Sequence, residues 1–392
     1  MLTPQPFPSL IKYMGSKTKI IDFIIDGINF VHQADRPILD LFAGSASLAG
    51  AIGKQVNFVS NDIQEYSKIL SQTYLVSLQE RDIPAIIDIY QKVFSLVKTN
   101  EKKEYLVDYN KLNSIDDFNF LEEKQKKLIS KKFSYDYHLF AKNYSGTWWS
   151  YEQCLWIDAL RQVADEYKNE PIYPIFLSSL MYAMAYCSQG TGHYAQYRDA
   201  KTNSSFNDIC IYRKKEVFKF FDKKFKELCR FSLKTVNHFS SEFLSCDFKD
   251  ALDVFEGGTV YADPPYCFVH YSRFYHALET LVLYDYPEIQ KKNNVIVKGR
   301  YREGRHQSPF CIKTKVETAF LDMFKRVETT NSQLALSYSN TGMISLETMM
   351  ELASSVWDSS KIEILTIDHK HMTLGRQGTR YRDVKECLLL VK

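Results

Sequence analysis

Two short apolar runs bracketing a turn of small residues limit what this chain can fold into more than any other feature. Residues 37–51, PILDLFAGSASLAGA, read as a buried strand, a tight turn and a helix start, and residues 56–62, VNFVSND, read as a second strand closed by an acid. Strand, helix and strand at that spacing make a βαβ unit, which commits the chain to a parallel sheet with helices over its faces. Strand signals return only much later: FLSCDFKDAL from 243, GGTVYADPPY from 257, LALSYSNTGMI from 334, then KIEILTIDHKH and VKECLLLVK as a terminal hairpin. From about 78 to 241 the pattern is lysine-rich, aromatic and helical, without strand–helix alternation. One sheet must therefore be assembled from both ends of the chain, residues 1–80 and 241–392, around a mostly helical inserted domain at 81–240.

Several classes are excluded early. The eight cysteines, Cys154, Cys187, Cys210, Cys229, Cys246, Cys267, Cys311 and Cys387, are scattered without a C-x-x-C pair, which argues against a zinc site and against a secreted disulfide framework. They are expected to be reduced and mostly buried. The start, MLTPQPFPSLIKYMGSK, has no charged region followed by an apolar run, so a signal peptide is not expected and the chain reads as cytoplasmic. The uncharged stretch 171–197 has an apolar heart, Ile175 to Cys187, that is too short for a membrane span and is interrupted by Ser178 and Ser179. It reads as a buried helix.

The strongest chemical signal is Asp263-Pro264-Pro265-Tyr266, directly after the strand 259–262. An adenine amine is a poor nucleophile because its lone pair is delocalised into the ring. Acceptors that hold the nitrogen localise that pair, and here Asp263 offers a carboxylate, Pro264 a carbonyl, and two fixed φ angles aim both at one edge of a base. Tyr266 can stack on the base face, recovering about 1–3 kcal/mol of the stacking lost when a base is swung out of a duplex. Against this stands the simple alternative of a proline-rich turn at a strand end.

The second signal is the turn Asp40-Leu41-Phe42-Ala43-Gly44-Ser45, followed 18 residues after Gly44 by Asp62. Small residues let the backbone approach a cofactor, and an acid ending the next strand suits a ribose diol. There is no G-x-G-x-x-G for a nicotinamide cofactor and no phosphate loop. Lys12-Tyr13-Met14-Gly15-Ser16-Lys17 and the pair Asp247-Phe248, 16 residues before Asp263, are weak alone and gain weight in company.

In the order KYMGSK, DLFAGSAS, a long insert, CDF and DPPY, the chain resembles the Dam-like, α-group DNA adenine methyltransferases. The resemblance covers roughly 1–80 and 240–392. It implies a Rossmann-like fold that binds S-adenosylmethionine, no metal, and methyl transfer to the exocyclic amine of an adenine flipped from double-stranded DNA. It implies further that Tyr13, Lys17, Ala43, Ser45, Asp62 and Asp263 contact S-adenosylmethionine, that Asp40, Phe42 and Gly44 line its methionine end, and that Asp247 and Phe248 hold its adenine. The insert would be the target recognition domain. The setting implied is a bacterial restriction–modification system, with nucleoid association through DNA and a companion restriction endonuclease acting at the same site. One departure stands out: the usual second glycine of the turn is Ala46.

Two segments suggest a DNA face. Between Arg213 and Lys226 seven basic residues face two acids, the usual pattern of a solvated helix face. The glycine-containing segment from Lys298 to Lys315, with Arg300, Arg302 and Arg305, is expected to touch phosphates. The polar loop 188–198 offers Gln189, Gln196 and Arg198 as readers of base edges. Rival functions are a methyltransferase of RNA or of a protein amide, a non-catalytic DNA-binding module and, last, a nuclease, for which no P-D…[DE]-x-K cluster is present.

Overall fold

Seven strands form a single sheet drawn from both ends of the chain. The computed structural model describes residues 1–190, 192–266, 271–372 and 381–392; Thr191 of the polar loop and Cys267 lie outside them. The strands are β1 (Ile38–Asp40), β2 (Phe58–Asn61), β3 (Ser241–Leu244), β4 (Thr259–Ala262), β5 (Gln333–Ser339), β6 (Ile362–Met372) and β7 (Tyr381–Val391). Their spatial order is β3-β2-β1-β4-β5-β7-β6. The first five run parallel, and the terminal hairpin adds two antiparallel strands, with β7 against β5.

Alternating side chains explain why the central strands read as unbroken apolar runs. Ile38, Tyr261, Ala335, Leu388 and Leu390 pack into one core, and Leu39, Val260, Leu334, Leu336 and Leu389 into another on the opposite face. A sheet buried on both faces has no polar side, as expected for parallel strands covered by helices. Helices Ile21–Val31 and Glu65–Leu75 cover the first face, and Phe248–Val254 and Val316–Thr329 the second.

Every regular element assigned between 80 and 234 is helical. Helix Tyr151–Asp165 starts at a capping box in which Ser150 and Gln153 bond each other's backbone, and Asn203–Arg213 starts at the same device built from Thr202 and Ser205. Helix Tyr173–Cys187 is apolar nearly all round because it is buried nearly all round. Its interrupting serines are satisfied: Ser178 Oγ lies 2.7 Å from Thr73 Oγ1, and Ser179 Oγ donates to the Ile175 carbonyl at 2.7 Å. No described helix is long and apolar enough to cross a membrane.

Thr73 lies on helix Glu65–Leu75, outside the insert, and the first core continues from Ile24 and Phe58 through Leu160 and Met181 to Phe221. The insert is therefore packed on one face of the sheet and shares its core. Cys154, Cys187, Cys210, Cys229, Cys311 and Cys387 are buried and Cys246 is half-buried, all as free thiols.

Candidate active site

Strand order fixes the location of the site. From β1 the chain winds outward through β2 to β3 on one side, and β4 then starts the other side with β5. A crevice opens between β1 and β4 where the winding reverses, at the carboxyl ends of the strands. A cavity of about 130 Å³ lies there and opens to solvent. It is lined by Tyr13, Lys17, Asp40, Phe42, Ala43, Gly44, Ser45, Asp62, Asp247 and Phe248, and by Asp263, Pro264, Pro265 and Tyr266. The four separated motifs thus share one cleft.

The turn after β1 is held by the acid after β2. Asp62 accepts from the Gly44 N–H at 2.9 Å and from the Gln64 N–H at 3.0 Å. Gly44 has φ +53, and a Cβ added there would sit 2.9 Å from the Tyr13 hydroxyl, so a side chain would be both strained and crowded. Ala46 also has a left-handed φ of 58. A glycine there would be unstrained, and alanine in that region costs roughly 1–2 kcal/mol.

Tyr13 is clamped between rings, stacking on Tyr275 at 4.6 Å and on Tyr271 at 5.9 Å, while the Tyr275 hydroxyl accepts from the Met14 N–H at 2.7 Å. Asp247 caps helix Phe248–Val254 by accepting from Lys249 N–H. Phe248 packs edge-on against Phe310, and Phe42 does the same.

Charge in the cleft is strongly unbalanced. Burial pushes the Asp40 carboxyl well above the ordinary range, and the nearby Asp263 and Asp62 push it further. Burial raises Asp62 too, against the N–H donors that hold its ionised form. Asp40 Oδ1 is buried without a hydrogen-bond partner. The cation here is Lys17, whose Nζ lies 3.3 Å from Asp263 Oδ1 and 3.1 Å from Glu386 Oε2. Burial opposes its charge, but the carboxylates of Asp263 and Glu386 outweigh that and hold it above the usual lysine range. A cavity rich in carboxylates, one with an unmet acceptor, suits a ligand carrying positive charge; a sulfonium and an amino group are such charges.

Three groups in or directly behind the cleft lining carried no signal in the sequence. Asn61 bridges strand ends, donating to the carbonyls of Leu41 and Cys246 at 3.2 Å each and accepting from Cys246 N–H at 3.2 Å. Tyr271 stacks on Tyr13. Glu386 lies in β7 and was visible only as a lone acid before the apolar run CLLLV.

The expected DNA-reading side chains need correction. Gln189 is 1% exposed, donating to the Arg198 carbonyl at 2.8 Å and accepting from Arg213 at 2.9 Å, so it is an internal strut. Arg198 is ion-paired with Asp208. Arg300 is 7% exposed and donates to the Lys126 carbonyl at 3.3 Å. Arg302 grips Asp285 through both guanidinium nitrogens at 2.8 and 2.6 Å, and Arg305 donates to Gln290 at 3.0 Å with its guanidinium over the Tyr301 ring. Counting cations along a segment could not see partners contributed by 285 and 290. The expected solvated run 213–226 is also divided, with Arg213 and Lys224 buried while Lys214, Lys219, Lys223 and Lys226 are exposed. Of the six side chains expected at the DNA, three as base readers and three as phosphate contacts, Gln196 alone is exposed.

Comparison with known proteins matches residues 13–352 to the family described as D12 class N6 adenine-specific DNA methyltransferase. Similar proteins include the modification methylase LlaI of Lactococcus lactis subsp. lactis, 23% identical over 382 residues that cover 94% of this chain and 53% of that protein. The Type II methyltransferase M.FokI of Planomicrobium okeanokoites is 25% identical over 361 residues, covering 88% of this chain and 47% of that protein. The Type II methyltransferase M.NlaIII of Neisseria lactamica is 21% identical over 351 residues, 87% of each. The chain spans about half the length of the first two.

Proposed function

The chain belongs to the D12 class N6 adenine-specific DNA methyltransferases, and from that premise we propose that it methylates the exocyclic amine of an adenine flipped out of duplex DNA, as the modification enzyme of a restriction–modification system. The observation that carries this is the single cleft shared by Asp263-Pro264-Pro265-Tyr266 after β4 and by the Asp40–Ser45 turn after β1.

Bound S-adenosylmethionine supplies an electrophilic methyl on a sulfonium. Asp40 and the Gly44 turn would hold its methionine end, Asp62 its ribose, and Asp247 with Phe248 its adenine; Tyr13 and Lys17 close the cleft. Asp263 and the Pro264 carbonyl accept from the target amine, which localises its lone pair and aims it along the transfer axis. The Tyr266 ring supports the base. Holding the amine in one orientation beside the cofactor's methyl would supply much of the acceleration. The surplus proton leaves to Asp263 or to solvent once the nitrogen has become cationic.

The insert 81–240 serves as the target recognition domain in this proposal. Gln196 is exposed in the polar loop, and Lys12 is exposed beside Gly192 of that loop. We assign Lys12 to a phosphate and Gln196 to a base edge. A companion endonuclease would read the same site.

The test is transfer of tritiated methyl from S-adenosylmethionine to duplex DNA, RNA and protein, followed by long-read sequencing of modified bases in cells expressing the chain. Methylated adenine in one fixed duplex motif is the expected result. Labelling of RNA or protein alone would overturn it.

A further inference from the structure

The roles assigned above leave out the group that holds three of the cleft residues together. Glu386 lies opposite Ser339 in the β5–β7 ladder. Because β7 runs antiparallel to β5, this register brings an acid near the chain's end to the carboxyl ends of the parallel strands. Its side chain is 1% exposed. A buried carboxylate costs several kcal/mol unless charge and hydrogen bonds compensate it.

The compensation comes from the cleft itself. Glu386 Oε2 accepts from Lys17 Nζ at 3.1 Å, and Glu386 Oε1 accepts from the Tyr266 hydroxyl at 3.1 Å. Lys17 Nζ also donates to Tyr266 Oη at 3.0 Å and lies 3.3 Å from Asp263 Oδ1. The ammonium has three protons, and Glu386, Tyr266 and Asp263 are three acceptors for them. The four side chains come from three distant stretches of sequence and form one closed network.

Resting on the methyl-transfer reading, we propose that Glu386 is a positioning residue: it fixes the Lys17 ammonium and the Tyr266 hydroxyl, so that the Asp263 carboxylate and the Tyr266 ring meet the target base in one arrangement. Two carboxylates share one cation in this network. Without the charge of Glu386, Lys17 is left with Asp263 as its one charged partner and is drawn further onto the carboxylate that the amine needs, while the phenol keeps only a weaker, uncharged acceptor.

The test uses the full chain carrying Glu386→Gln, which keeps the shape and removes the charge. The single-turnover methylation rate should fall on the order of tenfold to a hundredfold, the scale of a small misplacement of reacting groups. Affinity for S-adenosylmethionine by calorimetry, and KM for DNA, should change by less than about threefold, since uniform binding is untouched. Combining Glu386→Gln with Lys17→Met should be within a few-fold of Lys17→Met alone, because the carboxylate acts largely through the ammonium. The double variant removes both members of the most deeply buried pair, Lys17 and Glu386, and if either single variant fails to fold, the double variant's rate is compared with that of the unaltered chain, where a normal rate overturns the proposal. A normal rate in Glu386→Gln, multiplicative losses in the double variant, or parallel losses of rate and cofactor affinity would each overturn the proposal. Should the unaltered chain fail to methylate DNA, the methyl-transfer reading fails separately. Crystal structures of both forms then decide the positioning claim, where displaced Lys17 and Tyr266 support it and unmoved ones overturn it.

Discussion

The cleft and the helical insert both bury charge, and they do it in opposite ways. In the insert, Arg213 and Glu122 have side chains 0% and 2% exposed, and their polar atoms are well supplied with partners. The guanidinium donates twice to Glu122, at 3.0 and 2.8 Å, and also to the carbonyls of Trp148 and Thr147 and to Gln189, while Tyr109 donates to Glu122 at 2.7 Å. In the cleft, Asp40, Asp62 and Asp263 crowd a cavity, one acid has an unpartnered oxygen, and burial drives carboxyl pKa values up. A saturated buried pair fixes structure, whereas an unbalanced cluster around empty space is arranged for something that arrives later. The contrast separates two kinds of substitution.

The largest effect expected is on chemistry without folding. Asp263→Ala should lower methyl transfer on the order of a thousandfold, with an unchanged circular dichroism spectrum and melting profile. A folded variant with normal turnover would remove Asp263 from its role. Next comes the reverse case, folding without direct chemistry. Glu122→Ala strands a buried guanidinium and should cost about 3–5 kcal/mol in urea denaturation, while joint replacement of Glu122 and Arg213 by apolar residues should cost less. Equal losses would mean that the pair is not a structural unit.

Asp40→Asn probes the cleft more finely. Because the Asp40 pKa is raised, a cationic ligand that favours its ionised form must drive off a proton, so affinity should rise with pH. Calorimetry in buffers of different ionisation enthalpy should detect proton release that vanishes in Asp40→Asn, together with roughly a tenfold weaker affinity for S-adenosylmethionine. Identical proton release in both proteins would remove Asp40 from contact with the cation.

On the DNA face, Lys12→Ala should reduce the slope of log affinity against log salt by about 0.9, the share of one phosphate contact. Arg302→Ala should leave that slope unchanged and cost at most about 1 kcal/mol of stability through its partly exposed pair with Asp285. The opposite outcome would restore the 298–305 segment as the phosphate contact. The smallest effect belongs to Ala46→Gly. Relief of a left-handed alanine is offset by about 0.4–1 kcal/mol of added chain entropy in the unfolded state, so thermal denaturation should move upward by no more than a few degrees.

Much of this architecture could be read in the sequence alone, for a physical reason. Strand, turn and helix signals are local, so DLFAGSAS, VNFVSND and YADPPY declare the ends of β1, β2 and β4 wherever they occur. A parallel sheet then leaves few ways to join them, which gathers the motifs at the carboxyl ends of the strands. The sequence also foretold the helical insert and the buried helix Tyr173–Cys187.

What only the tertiary structure decided is pairing between residues far apart in the chain. Whether Arg302 meets DNA or Asp285, whether Gln189 reads a base or braces Arg213, and whether Glu386 is one strand acid among others or the partner of Lys17 depends on which side chains folding brings together. Charge acts through space over a few ångströms, and sequence separation carries no measure of that distance. The separation of 369 positions between Lys17 and Glu386 vanishes only when β7 takes its place beside β5.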